Sequence, residues 1–226
     1  MFEQVSPETP AGAVLVAAES GRLDELLERL LVESPSAWSC AVLDQLGHEV
    51  TTDAQREKLY LAWERQAAWT AAQRAHAMVA AAAPQRAVVS PLGGVDDFGA
   101  ELVAALSGLT LSTARRELEA ARALEADLVG CRSALERGQI GWRHVMVAFE
   151  ATAHLPAWAR QHVDAALVCD WEVDNDLARW RVRWRREALR VDADAEQRRA
   201  DAKLQRRVQC WAEPDGMATL RALLPA

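Results

Sequence analysis

The chain is poor in the residues that usually punctuate or staple a fold. It has 11 glycines, 3 phenylalanines and 1 tyrosine in 226 residues, and before the last twenty positions there is hardly any alternation of β-branched or aromatic with polar residues. That scarcity argues against an all-β architecture and, with the alanine-rich stretches, for helices. Cys40, Cys131, Cys169 and Cys210 lie far apart, and none forms a Cys-x-x-Cys pair. They read as reduced, buried thiols, with neither a disulfide framework nor a zinc knuckle. No stretch approaches the ~18 apolar residues of a membrane span. The short apolar run near the N-terminus follows Glu3 and Glu8 with no basic residue before it, which disfavours a signal peptide. The expected location is the cytoplasm. Also lacking are a Ser-His-Asp arrangement, a phosphate-cradling glycine loop and a nucleotide fingerprint.

What the chain does have is apolar content for a sizeable core. Half of its residues are hydrophobic, too many for global disorder. The net charge of −7, taken alone, disfavours a nucleic-acid binder. Its distribution points the other way. Residues 1–78 carry 6 Lys/Arg against 12 Asp/Glu, residues 79–178 carry 8 against 14, and residues 179–226 carry 12 against 7. An acidic body with a basic C-terminal part is a clue to an anionic partner.

Leucines on one face predict a helix over 22–33. A second helix opens at "SPSAW", with Ser34 as cap and Pro35 at the first helical position. A third starts at "TTDAQ", where Thr52 and Gln55 have capping-box spacing, and runs to 83 because no Gly or Pro interrupts it before Pro84. The breaker segment "PQRAVVSPLGGVDD", 84–97, separates an N-terminal helical region (1–83) from a helical core (98–226). Helices are expected over 98–107, 112–127, 128–137, 141–154, 156–169, 174–190 and 192–205. A β-hairpin follows, where Val208 and Cys210 alternate with Gln209 and Trp211 before "EPDG". The fold class is mainly α: a multi-helical domain with a long N-terminal helix and a small C-terminal β-hairpin.

Two stretches carry candidate chemistry. In "ALSGLTLSTARRELEAARALE", 104–124, Ala104, Gly108, Leu109, Ala114 and Leu118 suit a helix-turn-helix whose second helix bears Arg115 and Arg116. Glu117, Glu119 and Glu125 dilute that surface, and a structural helical hairpin explains the same pattern. The stronger feature is "DLARWRVRWRREALR". Leu177, Trp180, Trp184 and Ala188 form one stripe, and Arg179, Arg183, Arg186 and Arg190 form another on the far side. The indoles then belong to the core, and the guanidiniums either meet successive phosphates or pair with carboxylates of the acidic helices. Trp38, Trp63, Trp69, Trp142, Trp158 and Trp171 are expected to fill the core. His144, His154 and His162 fall on consecutive helices, where surface or capping roles are expected.

The motifs "ELVAALSGLTLSTARRELEAARALE", "LERGQIGWRHVMVAFEATAHLP", the arginine-rich helix and "RRVQCWAEPDGMATLRALLP" occur together and in this order. From about residue 35 onward the chain thereby resembles the domain of unknown function 222, or 13E12-repeat, family, common in actinobacteria. In that family the domain usually precedes an HNH endonuclease module. The paired histidines and asparagine of such a module are not found in this sequence, so the resemblance implies an accessory domain, not an enzyme. No cofactor, catalytic residue or metal ligand is expected. The leading reading is a non-catalytic, nucleic-acid-associated module using Arg179, Arg183, Arg186 and Arg190, with Arg115 and Arg116 as further candidates. The alternative is a helical protein-interaction module, or a truncated remnant without independent activity. The partners in view are DNA, a second copy or a separate nuclease chain, with no membrane and no small-molecule substrate.

Overall fold

Several helix starts in this chain fall where a short polar side chain takes up a free backbone amide, with Thr9, Ser36, Thr52, Thr110 and Asp176 as the caps. A computed structural model describes residues 9–47, 49–83, 98–168, 176–192, 207–212 and 217–223. Among these it places ten helices: α1 (Pro10–Glu19), α2 (Leu23–Val32), α3 (Ala37–Leu46), α4 (Asp53–Ala81), α5 (Gly99–Ser107), α6 (Leu111–Ala126), α7 (Val129–Glu136), α8 (Trp142–Thr152), α9 (Ala157–Val168) and α10 (Leu177–Val191). Strands β1 (Arg207–Ala212) and β2 (Ala218–Leu223) then form an antiparallel hairpin, with Val208 opposite Ala222 and Cys210 opposite Leu220. The mainly helical architecture read from the sequence is the one observed.

The capping box at the start of α4 forms as its spacing requires. Thr52 Oγ1 accepts from the Gln55 amide at 3.2 Å, and Gln55 Oε1 accepts from the Thr52 amide at 3.3 Å. The start of α3 differs from expectation. Its cap is Ser36, not Ser34, because Ser36 and Ser39 close a reciprocal pair: the Ser39 amide donates to Ser36 Oγ at 3.2 Å and the Ser36 amide to Ser39 Oγ at 2.7 Å. Pro35 therefore precedes the cap. Helix α1 was not expected, although Thr9 caps it and Pro10 occupies its first turn, a start signal of the same kind as the others. The helix expected over 192–205 lies, beyond Asp192, outside the described residues.

Two apolar clusters share α4. The first joins Val14, Leu26, Leu27, Leu30, Val42, Leu43 and Leu46 of α1–α3 to Ala62. The second runs from Ala68, Ala72, Ala75 and Met78 of α4 through α5–α10. The clusters thus part within α4, between Ala62 and Ala68, whereas the 84–97 segment lies outside the described residues. Contact with the turn between α7 and α8 is close enough to need a glycine. Gly138 sits at φ +69°, and a Cβ there would lie 2.8 Å from Arg65 Cβ and 2.9 Å from the Arg65 carbonyl oxygen.

Candidate nucleic-acid interface

Helix α10 is anchored by its own apolar stripe. Asp176 caps it, accepting from the Ala178 amide at 2.9 Å. Trp184 is 0% exposed, and Trp180 and Ala188 are also buried. Trp180 Nε1 donates to the His144 carbonyl at 3.0 Å, and its ring meets the His144 ring edge-on at 5.6 Å. The helix packs against α8 and α9, so its opposite side is turned outward.

Of the four arginines expected there, Arg179, Arg186 and Arg190 are exposed and Arg183 is half-buried. Arg190 Nη1 lies 2.8 Å from Glu187 Oε2, and Arg179 Nε lies 3.7 Å from Asp176 Oδ2. Both pairs are made within one helical turn and leave the guanidiniums exposed; the Asp176 pair, open to water on both sides, contributes little, whereas the Glu187 side chain is only 17% exposed. Arg186 makes no ion pair among the described residues. A cleft of about 370 Å³ between α9 and α10 is lined by Ala166, Leu167, Arg183, Arg186, Glu187 and Arg190. Three of the four expected arginines therefore border one concavity.

Arg115 and Arg116 belong to a different element. The turn between α5 and α6 has the expected shape: Gly108 is left-handed at φ +65°, and the Leu109 amide donates to the Ala104 carbonyl at 3.2 Å. Most of α6 is nevertheless a core helix, with Ala114, Leu118, Ala120, Ala121, Ala123 and Leu124 buried. Arg115 lies 3.9 Å from Glu101 of α5, and Arg116 pairs with Glu150 of α8. Their charge is met by neighbouring helices.

Other candidates resolve into structural roles. His144 Nδ1 accepts from the Gly141 amide at 3.3 Å, a capping contact, and His154 Nε2 lies 3.3 Å from Asp192 Oδ2. His162 is exposed. Among the described residues no group of three or more His, Cys, Asp or Glu side chains could hold a metal ion. Trp63 and Trp158 are exposed, which corrects the expectation that they fill the core. Each sits on the solvent side of its helix while smaller neighbours, Ala62 and Ala159, turn inward. A wider cleft of about 1090 Å³ lies between the middle of α4 and the turn before α8. Its Arg65 Nη2 already donates to the Glu33 carbonyl at 2.8 Å.

Sequence reading missed Arg181 and Arg185, both exposed on α10. The signal was the Arg-x-Arg-x-Arg-x-Arg run over 179–185. Steps of two advance about 200° around a helix, so such a run alternates between two flanks and a single stripe takes in only half of it.

The stretch from α4 through the α5–α6 pair, the core helices α7, α8 and α9, the arginine-rich α10 and the terminal hairpin is matched in sequence as well. The family model described as a domain of unknown function (DUF222) matches residues 53–226. The chain belongs to this family. The match begins at the start of α4, so α1–α3 and their core lie before the matched DUF222 region. No curated protein and no solved structure matches the chain.

Proposed function

We propose that this DUF222 chain is a non-catalytic accessory module that associates with nucleic acid by docking α10 on phosphates. One observation carries the reading. A helix locked down by two buried tryptophans turns arginines outward, and the guanidiniums of Arg179 and Arg190 stay solvent-exposed. A guanidinium matches phosphate oxygens in a bidentate way and keeps its charge at any working pH. The α6 arginines stand apart from this row, on a mostly buried helix, and face Glu101 and Glu150 of neighbouring helices. Chemistry on the nucleic acid, in this reading, belongs to an HNH-type nuclease partner, in keeping with the resemblance noted above.

The test is duplex DNA binding by fluorescence anisotropy at 50 and 200 mM salt. Four phosphate contacts give log K falling with log salt at a slope of about −3.6, further contacts make it steeper, and Arg183→Ala with Arg186→Ala flattens it by about 1.8. Binding that is absent at both salts, or that ignores salt, overturns the proposal. The interaction-module reading draws on the hairpin. Its Val208, Cys210, Leu220 and Ala222 share one face and are exposed, Val208 at 62% and Leu220 at 67%. An isolated two-stranded hairpin is marginal in water, so this face suits a protein partner.

A further inference from the structure

The outward side of α10 has three zones, of which the Arg179–Arg190 row is one. At about 100° per residue, Arg179, Arg183, Arg186 and Arg190 occupy one flank. Arg181 and Arg185 project about 150° away, on the other flank. Between the two lie Ala178, Val182 and Leu189, all exposed, Val182 at 56% and Leu189 at 49%. Neither Arg181 nor Arg185 makes an ion pair among the described residues. Together the exposed positions cover about half the girth of the helix, enough for it to enter a groove instead of lying against a surface along one edge.

Resting on the nucleic-acid reading, we propose that α10 lies in the major groove of B-form DNA. Arg181 and Arg185 hold one phosphate strand, the Arg179–Arg190 row holds the other, and Val182 and Leu189 face the base edges. The dimensions agree. A helix with its side chains is about 10–12 Å across and the B-form major groove about 12 Å wide. Guanidiniums leaving both flanks of one helix are placed for the two backbones that bound such a groove, which a single row cannot reach.

The middle zone sets the kind of recognition. Ala178, Val182 and Leu189 carry no side-chain donor or acceptor, so base edges are met by apolar contact, chiefly with thymine methyl groups. Affinity then comes from phosphates, with little sequence discrimination. The same chemistry excludes two other nucleic acids. A-form RNA has a major groove too deep and narrow for side chains to read. Single strands are gripped by stacking on exposed aromatic rings, whereas the tryptophans of α10 are both buried.

The experiment uses the full chain with a 20-base-pair DNA duplex, the duplex RNA of the same sequence, one DNA strand alone, and vesicles containing phosphatidylserine. The double variant Arg181→Ala/Arg185→Ala is compared with Arg183→Ala/Arg186→Ala, with circular dichroism as the folding control. Alanine favours helix at all four exposed or half-exposed positions. The expected result is at least tenfold tighter binding of duplex DNA than of the other three probes. Each double variant is expected to lose tenfold or more in duplex affinity and about 1.8 in salt slope. If Arg181→Ala/Arg185→Ala binds as wild type while the other variant is weakened, the groove placement is overturned and one-sided phosphate docking stands. Equal affinity for duplex RNA, or tighter binding to the single strand, overturns it too. Binding to vesicles but not to DNA overturns both readings and reassigns the helix to an anionic membrane surface, and no duplex binding at any salt also overturns both.

Discussion

Asp164 is 3% exposed, on α9, yet its carboxylate serves another helix. It accepts from the Gly130 amide at 2.6 Å and the Cys131 amide at 3.0 Å. These are first-turn amides of α7, whose own N-cap position, Leu128, supplies no side-chain acceptor. A carboxylate from across the core thus replaces the missing cap. Burial raises the Asp164 carboxyl above its ordinary value of 3.8, outweighing the backbone hydrogen bonds, which lower it. Burial, with the charge of Asp164, also pushes the Cys131 thiol well up, which keeps it protonated and unreactive. Between 3.8 and the raised value the folded chain holds a proton that the unfolded chain has released. This group therefore makes stability fall as pH rises through that window and has no further effect above it. Asp164→Ala orphans two buried amides and is expected to cost about 2 kcal/mol or more by urea unfolding at pH 7. Asp164→Asn keeps one acceptor oxygen, costs less, and removes this part of the pH slope above 3.8. If Asp164→Ala unfolds at the wild-type urea midpoint, the cross-helix cap is not holding α7.

At the scale of elements, two left-handed glycines separate backbone strain from close packing. Gly108 at φ +65° has nothing within 4 Å of a built Cβ, whereas Gly138 at φ +69° would place that atom against the Arg65 backbone. Gly108→Ala therefore meets only the left-handed penalty, about 1 kcal/mol. Gly138→Ala adds an overpacking cost of about 1–3 kcal/mol, because the backbone of α4 cannot rotate aside as a side chain could. Equal losses in denaturant unfolding would mean that α4 and the α7–α8 turn do not press together. Such contacts mark the limit of what the sequence discloses. Thr52 and Gln55, Gly108 and Gly138 announce helix ends by local chemistry, and the tryptophan stripe of α10 announces its buried face by period alone. The cap of α3 was misplaced because "SPSAWS" offers two serines with equal local claims, and only Ser39, itself anchored to Gln66 at 2.8 Å, decides between them. The carboxylates that face Arg115 and Arg116 come from α5 and α8, and no spacing within α6 discloses them. Arg181 and Arg185 are legible in the Arg-x-Arg alternation, which a single stripe of period about 3.6 does not take in.

Across the whole molecule, α4 is the member that both cores need. Its 29 residues span about 43 Å, with Leu59 and Ala62 toward the first cluster and Ala68, Ala72, Ala75 and Met78 in the second. At the seam Gln66 is buried, and it ties α3 down: Oε1 accepts from Ser39 Oγ at 2.8 Å and Nε2 donates to the Ser36 carbonyl at 3.2 Å. Next to it, Arg65 reaches one core through the Glu33 carbonyl and touches Gly138 of the other. Melting either core would strip half of α4 of its packing, and a helix of this length owes most of its stability to packing, not to propensity. The two cores are therefore expected to unfold together. Leu27→Ala in the first and Leu135→Ala in the second, both at fully buried positions, should each cost about 2–5 kcal/mol. Each should shift one single transition seen identically by far-ultraviolet circular dichroism and tryptophan fluorescence. Below that transition Leu27→Ala should bind duplex DNA like wild type, since α10 rests on α8 and α9 in the other core. A Leu27→Ala chain that loses part of its helical signal in a separate, earlier step would show that α4 merely passes through two independent cores.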